Sequence, residues 1–218
     1  MITTIIFDVD GTLLDSEKIY MRSWVLIGQQ HGYTVPQQAL LETRAVSAPV
    51  AEKIFKKYCG ADFPYTELLG AKKDLVEEMF DTTPPEVLLM PGAAQTLQAL
   101  KDRGYTLAAA SSTPYERTCK HLRHAGLYHF FDVIVCGDMV PCGKPAPDIF
   151  LKAAQLANTD PSQCVVVGDT PADVLGATAA NIPVLLIPDQ VPANTQTTAL
   201  SKAVLRSLSQ VPQAVAAL

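Results

Sequence analysis

The chain alternates short apolar runs of strand length with amphipathic segments of helical length. Turn residues bound the apolar runs, which lie at residues 2–7, 106–110, 133–135, 164–167 and 184–187. Helices are predicted between most of them, at 93–103, 115–125, 147–156 and 172–180. Because such alternation produces parallel strands covered on both faces, the pattern predicts a doubly wound, Rossmann-like α/β sheet. An exposed loop is expected at 188–198, then a short strand at 203–205 and a last helix at 209–217.

One segment, residues 16–83, interrupts this alternation. Apolar side chains recur in it at helical spacing, as at Ile19, Trp24 and Ile27, without a convincing strand. We therefore predict a small helical domain of residues 16–83 inserted into a core of residues 1–15 and 84–218. Inserted after the first strand and facing the strand ends, such a domain is physically suited to act as a lid over a ligand site.

Two carboxylates, Asp8 and Asp10, follow the first apolar run directly. Residues two apart in an extended chain face the same side, so both are predicted to face one spot at the carboxyl end of the strand. Open parallel α/β sheets bind their ligands at that edge. Like charges this close disfavour joint ionisation unless a cation or a proton lies between them. Taken alone, the pair is also compatible with a surface turn before Gly11.

Four motifs give the chain a family resemblance. Residues 8–15 (Asp-x-Asp-Gly-Thr-Leu-x-Asp) strongly resemble the opening motif of the haloacid dehalogenase (HAD) superfamily of phosphohydrolases. Three further motifs follow in the family's order: Ser-Ser-Thr-Pro at 111–114, Gly-Lys-Pro-Ala-Pro-Asp at 143–148 and Gly-Asp-Thr-Pro-Ala-Asp at 168–173. Since they cover nearly the whole chain, it is identified as a member of the superfamily. The helical insertion resembles the four-helix C1 cap of the phosphatase branch.

The resemblance implies a role for each charged residue of these motifs. Asp8 would be the nucleophile that receives the phosphoryl group, and Asp10 the general acid and then the general base. Lys144 would neutralise Asp8 and a phosphate oxygen. Asp8, the backbone carbonyl of Asp10, and Asp169 would supply oxygen ligands for Mg²⁺. Asp173 is expected to be a direct or water-mediated metal ligand, or a residue that orients the loop.

Further contacts are expected from polar side chains near these motifs. Ser111, which lies directly after a strand, is expected to bind phosphate. Ser112 and Thr12 are predicted as further phosphate contacts. Ser112 can equally cap a helix, and Thr12 can equally serve the turn. In the cap, Arg44 is expected to meet a substrate hydroxyl or a second anionic group. Ser47 is expected either to contact substrate or to cap the next helix.

Departures from sister patterns indicate the branch of the superfamily. Dehalogenases and phosphonate-cleaving relatives lack the second aspartate of the opening motif, so Asp10 argues against both. β-Phosphoglucomutases share the cap and both aspartates, but they typically have Val or Ile at the position of Thr12. They also place a histidine soon after, where this chain offers Tyr20. A phosphatase is therefore predicted and a phosphomutase is the alternative.

The predicted reaction is Mg²⁺-dependent hydrolysis of a small phosphorylated metabolite, such as a sugar phosphate, through an aspartyl-phosphate. A non-enzymatic binding protein on the same fold is a third hypothesis. It is disfavoured because such proteins usually lose the nucleophile or the lysine, whereas this chain retains Asp8 and Lys144.

Composition excludes other classes of partner. A net charge of −5 over 218 residues argues against sequence-independent nucleic-acid binding, which needs a basic face. No apolar run approaches the roughly 18 residues of a membrane span. Residues 1–4 lack the basic start of a secretion signal, and the five cysteines show no Cys-x-x-Cys pairing. We expect a cytoplasmic monomer with no membrane or nucleic-acid partner.

Overall fold

The computed structural model describes residues 1–43, 48–189 and 191–218. The chain divides into two compact units. Met1–Asp15 and Pro85–Leu218 together form an α/β unit, and Ser16–Pro84 forms a helical unit. None of the helices in the described part of the chain combines the length and the apolarity that a bilayer-spanning segment requires.

The α/β unit is built on six parallel strands. They lie in the order β3-β2-β1-β4-β5-β6. Their bounds are β1 Thr4–Phe7, β2 Thr106–Ser111, β3 Val133–Cys136, β4 Cys164–Gly168, β5 Val184–Leu186 and β6 Ala203–Val204. Since β1 pairs with β2 on one side and β4 on the other, its carboxyl end lies at the centre of the sheet edge. The predicted Rossmann-like α/β fold is confirmed.

Within the α/β unit, helices surround this sheet. In chain order, the helices in the described residues of the two units are α1 Ser16–Gln30, α2 Gln37–Glu42, α3 Ala48–Cys59, α4 Tyr65–Thr82, α5 Pro85–Leu88, α6 Ala93–Lys101, α7 Tyr115–His124, α8 Asp148–Leu156, α9 Pro171–Ala179, α10 Thr195–Leu200 and α11 Val211–Ala216. Short 3₁₀ turns lie at Tyr128–Phe130, Gly137–Met139, Pro161–Gln163 and Leu208–Gln210. The core between sheet and helices contains fully buried side chains such as Ile6, Val166 and Phe150. Residues 6 and 166 are partners in adjacent strands.

The region predicted to be an exposed loop, 188–198, contains the start of α10. Asn194 accepts a hydrogen bond from the backbone N–H of Thr197, and the Thr197 hydroxyl accepts one from the backbone N–H of Asn194. This reciprocal pair satisfies N–H groups that a helix start leaves unpaired, so the helix begins here despite a polar, loop-like sequence. Thr197 is only 2% exposed, whereas the other described residues of 188–198 are half-buried or exposed.

The helical unit contains α1 to α4 and, in its described part, no strand. Its core is aromatic. The ring centroids of Trp24 and Phe55 are 4.4 Å apart, and the stacked rings of Phe55 and Phe63 are 5.3 Å apart. Tyr65 stacks on Trp24 at 5.4 Å. These contacts pack α1 against the later helices of the same unit.

Candidate active site

The carboxyl ends of the central strands bring together residues that are far apart in sequence. Asp8 follows the last residue of β1, and its backbone N–H donates to the carbonyl of Val167 in β4 at 2.8 Å. Ser111 is the last residue of β2, and Asp169 follows the last residue of β4. Because β2 and β4 flank β1, these side chains share one edge of the sheet. Asp8 is 6%, Asp169 5% and Ser111 0% exposed.

Lys144 extends into this edge from the loop that precedes α8. Its side chain is only 4% exposed. The Nζ atom lies 2.5 Å from Oδ1 of Asp8 and 2.7 Å from Oδ1 of Asp173, and it donates to the carbonyl of Ala110 at 2.8 Å. An ammonium has three hydrogens to donate. Three oxygen partners from three segments therefore hold the Lys144 nitrogen in one place.

Three carboxylates form a buried acidic cluster around the same point. Asp8, Asp169 and Asp173 each offer an oxygen, and these oxygens all lie within 4.8 Å of one another. The hydroxyl of Thr12 donates to Oδ1 of Asp169 at 2.8 Å. Thr12 thus contacts the acidic cluster directly, and its hydroxyl orients the Asp169 carboxylate.

Asp173 also caps the helix that carries it. Its Oδ2 accepts from the backbone N–H of Thr170 at 3.0 Å and from the Thr170 hydroxyl at 2.5 Å, while the Thr170 hydroxyl accepts from the N–H of Asp173. This capping box starts α9 at Pro171, a residue type favoured at the first position of a helix. With one oxygen engaged by the cap and the other by Lys144, Asp173 is held in a fixed orientation.

Two glycines allow the close approach of these segments. Gly11 has a φ of +85°, and a Cβ there would lie 2.6 Å from Oδ2 of Asp169. A Cβ on Gly168 would lie 2.6 Å from the Cβ of Asp173. A side chain at either position would push an acidic residue out of place.

The cluster holds three carboxylates but one ammonium, and the pKa values reflect this imbalance. Burial, reinforced by Asp173 and Asp10 against the opposing Lys144, raises the pKa of Asp8 to about 7. Burial, followed by the charges of Asp8 and Asp173, raises the pKa of Asp169 to about 9. Burial alone would lower the pKa of Lys144, but Asp173 and Asp8 outweigh it and the pKa is raised. The site therefore suits a further cation.

A second polar group lies beside the first, around Asp10. The hydroxyls of Ser111 and Thr113 both donate to Oδ2 of Asp10, at 3.3 and 3.0 Å. The oxygen of Ser111 accepts from the backbone N–H of Thr113 at 3.0 Å. The side chain of Asp10 thus belongs with the residues after β2, and the triad of acidic side chains does not include it. The predicted metal ligand at this position is its backbone carbonyl.

The predicted site residues are placed as follows. Asp8, Lys144, Asp169, Asp173 and Thr12 meet in the buried cluster, and Asp10 meets Ser111. Ser112 is exposed, so its assignment to phosphate binding remains a prediction. Arg44 and Ser47 lie outside the described residues.

Sequence reasoning did not identify two hydroxyls that hold the acidic residues. From the sequence alone, Thr113 is either a further phosphate contact or a helix cap, whereas the structure places its hydroxyl on Asp10. It left Thr170 without a role. The sequence Thr170-Pro171-Ala172-Asp173 has the spacing of a capping box, and this spacing could have identified the role of Thr170.

Comparison with known proteins identifies the family. A model of the haloacid dehalogenase-like hydrolases matches residues 2–181. Hexitol phosphatase A of Escherichia coli is 32% identical over 211 residues, which are 94% of this chain and 91% of that protein. A phosphorylated carbohydrates phosphatase of Thermotoga maritima is 31% identical over 178 residues, which are 82% of this chain and 81% of that protein.

The fold is shared with solved structures. A Thermotoga maritima protein assigned as a β-phosphoglucomutase superposes over 100% of both chains with a TM-score of 0.83 at 24% identity. At that identity the likeness shows the fold alone. The family match, by contrast, spans all four motifs recognised in the sequence. The chain therefore belongs to the haloacid dehalogenase-like hydrolases, as its motifs predicted.

Proposed function

We propose that the protein is a Mg²⁺-dependent phosphatase that hydrolyses a small phosphorylated metabolite through an aspartyl-phosphate on Asp8. One observation carries the proposal: the buried Asp8 carboxylate is held by the Lys144 ammonium inside a cluster of acidic residues from distant segments. A carboxylate in that setting can act as a nucleophile on phosphorus. The phosphatase relatives, named for a hexitol and for phosphorylated carbohydrates, support a sugar or polyol phosphate as substrate.

The acidic cluster fits a hard divalent cation. Its donors are carboxylate oxygens, which Mg²⁺ prefers, and their charge exceeds that of Lys144. Asp8, Asp169 and the backbone carbonyl of Asp10 would hold the ion, with Asp173 as a direct, water-mediated or orienting partner. When bound, the ion would lower the repulsion between an anionic nucleophile and an anionic phosphate.

Two steps follow for the chain's own residues. In the first, a carboxylate oxygen of Asp8 forms a bond to phosphorus as the ester P–O bond breaks, and Asp10 gives its proton to the departing alkoxide. In the second, Asp10 takes a proton from water, the water oxygen attacks phosphorus, and the bond to Asp8 breaks to release phosphate. One carboxyl group thus serves as acid and then as base. Lys144 holds Asp8 in place and offsets charge on the transferring group.

Selection of the leaving group is assigned to the helical unit as a cap. It contains a cavity of about 210 Å³ with both polar and aromatic lining, formed by Glu17, Tyr20, Met21, Trp24, Leu40, Thr43 and Lys72. The Lys72 ammonium lies 5.0 Å from the centre of the Tyr20 ring and 5.2 Å from that of Trp24. Aromatic faces combined with hydroxyl and charged groups suit a hydroxylated molecule. Arg44 and Ser47 remain predicted contributors to this selection.

A phosphomutase is the second candidate, because the chain retains both Asp8 and Asp10, which the β-phosphoglucomutases of the family share. Thr12 and Tyr20 favour hydrolysis, because mutases of the family typically have other residues there. The two reactions differ in product: free phosphate in one, an isomeric sugar phosphate in the other.

The test is a panel of sugar and polyol phosphates incubated with purified protein, with both phosphate and isomer measured. We expect Mg²⁺-dependent phosphate release that a chelator abolishes and added Mg²⁺ restores. Asp102→Asn, an exposed carboxylate at the end of α6, is the matched control and should retain full activity. Isomer formation without phosphate release would favour the mutase. Absence of turnover on every substrate, or full activity in chelator, would contradict the proposal.

A further inference from the structure

The end of β2 and the loop after it contact the side chain of Asp10. Two hydroxyls, from Ser111 and Thr113, donate to the same oxygen of Asp10, Oδ2. The Thr113 contact is the shorter, at 3.0 Å against 3.3 Å. Two hydroxyl donors on one oxygen hold the Asp10 carboxylate in one orientation.

The position of Thr113 is itself fixed by its neighbours. Its carbonyl accepts from the hydroxyl of Thr118, a residue in the first turns of α7, at 3.2 Å. The backbone N–H of Tyr115 donates to the Asp138 carboxylate at 3.0 Å. A Cβ on Gly137 would lie 2.6 Å from the carbonyl oxygen of Ser112, so the bare glycine lets the two loops pack closely. These contacts hold the Thr113 hydroxyl at one distance from Asp10.

We propose that Thr113 is a positioning residue that keeps Asp10 oriented for proton transfer. The proposal rests on the proposed function, in which Asp10 protonates the leaving group. Ser111 cannot do this alone, since its hydroxyl has one hydrogen and is expected to turn to the phosphate when substrate binds. Thr113 then supplies the hydrogen bond that keeps Asp10 in place. The oxygen of Ser111 also accepts from the N–H of Thr113, so both contacts depend on one loop conformation.

The dependence of the rate on the leaving group separates this role from a general structural one. An alcohol is a much weaker acid than p-nitrophenol, so an alkyl phosphate needs a proton from Asp10 and p-nitrophenyl phosphate does not. The ratio kcat/KM covers the steps up to departure of the leaving group, and thus excludes the later attack by water. Thr113→Val keeps the branched shape of the side chain and removes the hydroxyl.

The experiment compares kcat/KM of the wild type, Thr113→Val and Thr113→Ser on p-nitrophenyl phosphate and on an alkyl phosphate such as a hexitol phosphate. In Thr113→Val, kcat/KM should fall about tenfold or more on the alkyl phosphate, given the size of general acid effects, and much less on the aryl phosphate. Thr113→Ser should restore the alkyl rate, because it restores the donor. Thr113→Ala serves as a second variant without the hydroxyl if the valine variant folds poorly.

The outcomes separate the two proposals. Equal losses on both substrates, no loss on either, or a serine variant as impaired as the valine variant would overturn the positioning role. If the wild type released phosphate from neither substrate, that result would instead overturn the proposed function.

Discussion

In the α/β unit, polar side chains are buried together at one edge of the sheet, whereas the core of the helical unit is aromatic. Asp8, Thr12, Ser111, Asp169 and Asp173 are each at most 6% exposed. In the helical unit the buried polar side chains among the described residues are two serines, Ser16 and Ser23. Burial of polar groups lowers stability unless partners compensate, so their concentration in one place indicates a function.

The different buried side chains indicate different roles for the two units. The α/β unit holds charges in unfavourable proximity, which raises pKa values and suits cation binding and chemistry. The helical unit has a conventional packed core and a cavity with polar lining. Substitutions of the acidic residues at the sheet edge should therefore affect activity more than stability, whereas substitutions in the aromatic core of the helical unit should primarily affect stability.

The largest effect is expected from Asp8→Asn, which removes the attacking carboxylate from the α/β unit with little change of shape. Phosphate release should fall by at least about a thousandfold, as expected for a nucleophile. Burial raises the pKa of Asp8 to about 7, above its unfolded value, so the stability that its protonated form contributes is lost as pH rises through that range. At about pH 8 without divalent cations, the melting temperature of Asp8→Asn in thermal denaturation should therefore be no lower than that of the wild type. Appreciable turnover, or a much lower melting temperature, would contradict this.

Lys144→Met should reduce both activity and stability. Activity should fall by about a hundredfold or more, because Asp8 and the phosphate lose their fixed cation. Without divalent cations the free energy of unfolding should fall by about 3–5 kcal/mol, since buried carboxylates are left without an ammonium. Added Mg²⁺ should recover part of that stability. Lys152→Met, at a half-buried lysine on α8, is the matched control; similar losses in both variants would contradict the role of Lys144.

Phe55→Ala tests the helical unit. Phe55 is fully buried between Trp24 and Phe63, so its removal should lower the free energy of unfolding by about 3–5 kcal/mol. Trp24 is the only tryptophan in the chain, so its fluorescence during urea denaturation reports this unit directly. A change below about 1 kcal/mol would show that the aromatic cluster is not the stabilising core.

The smallest effect is expected from Asp132→Asn, at the surface of the α/β unit. Burial raises the pKa of Asp132, but the backbone N–H of Leu107 and the Lys101 ammonium outweigh it, so the pKa is lowered. Its stabilising effect is thus present above the ordinary carboxyl pKa and is lost as pH falls through the folded value. Because the pair is partly solvent-exposed, the loss near neutral pH should be about 1 kcal/mol or less. An equal difference between wild type and variant at strongly acidic pH would contradict this assignment.

Much of the fold was predictable from local patterns in the sequence. The strands are short apolar runs between turn residues, and their alternation with helices determined the parallel sheet. Gly104 and Gly126, which follow α6 and α7, have φ values of +81° and +71°, which glycine adopts at little cost. The helix at Thr195–Leu200 was missed because its start depends on a reciprocal pair of side-chain hydrogen bonds, which apolar periodicity does not reveal.

The candidate site was predictable in its charged members and less so in its hydroxyls. Family motifs pointed to Asp8, Lys144 and Asp169, and β1, β2 and β4 bring the segments together. The positions of hydroxyl hydrogens depend on loop geometry. Thr12, predicted as a phosphate contact or a turn residue, donates to Asp169, and Thr113 donates to Asp10. Neither contact follows from residue spacing, because each joins segments more than a hundred residues apart.

The central claim, that Asp8 carries the phosphoryl group, is tested most directly by trapping the intermediate. Borohydride reduces an acyl phosphate to an alcohol. Treatment of protein quenched during turnover would therefore convert the phosphorylated aspartate to homoserine. After tryptic digestion, mass-spectrometric fragmentation of the peptide that ends at Lys18 would then locate the modified residue. The account predicts it at residue 8 in the presence of substrate and Mg²⁺, and not in chelator. Modification at another residue, or none while phosphate is being released, would contradict it.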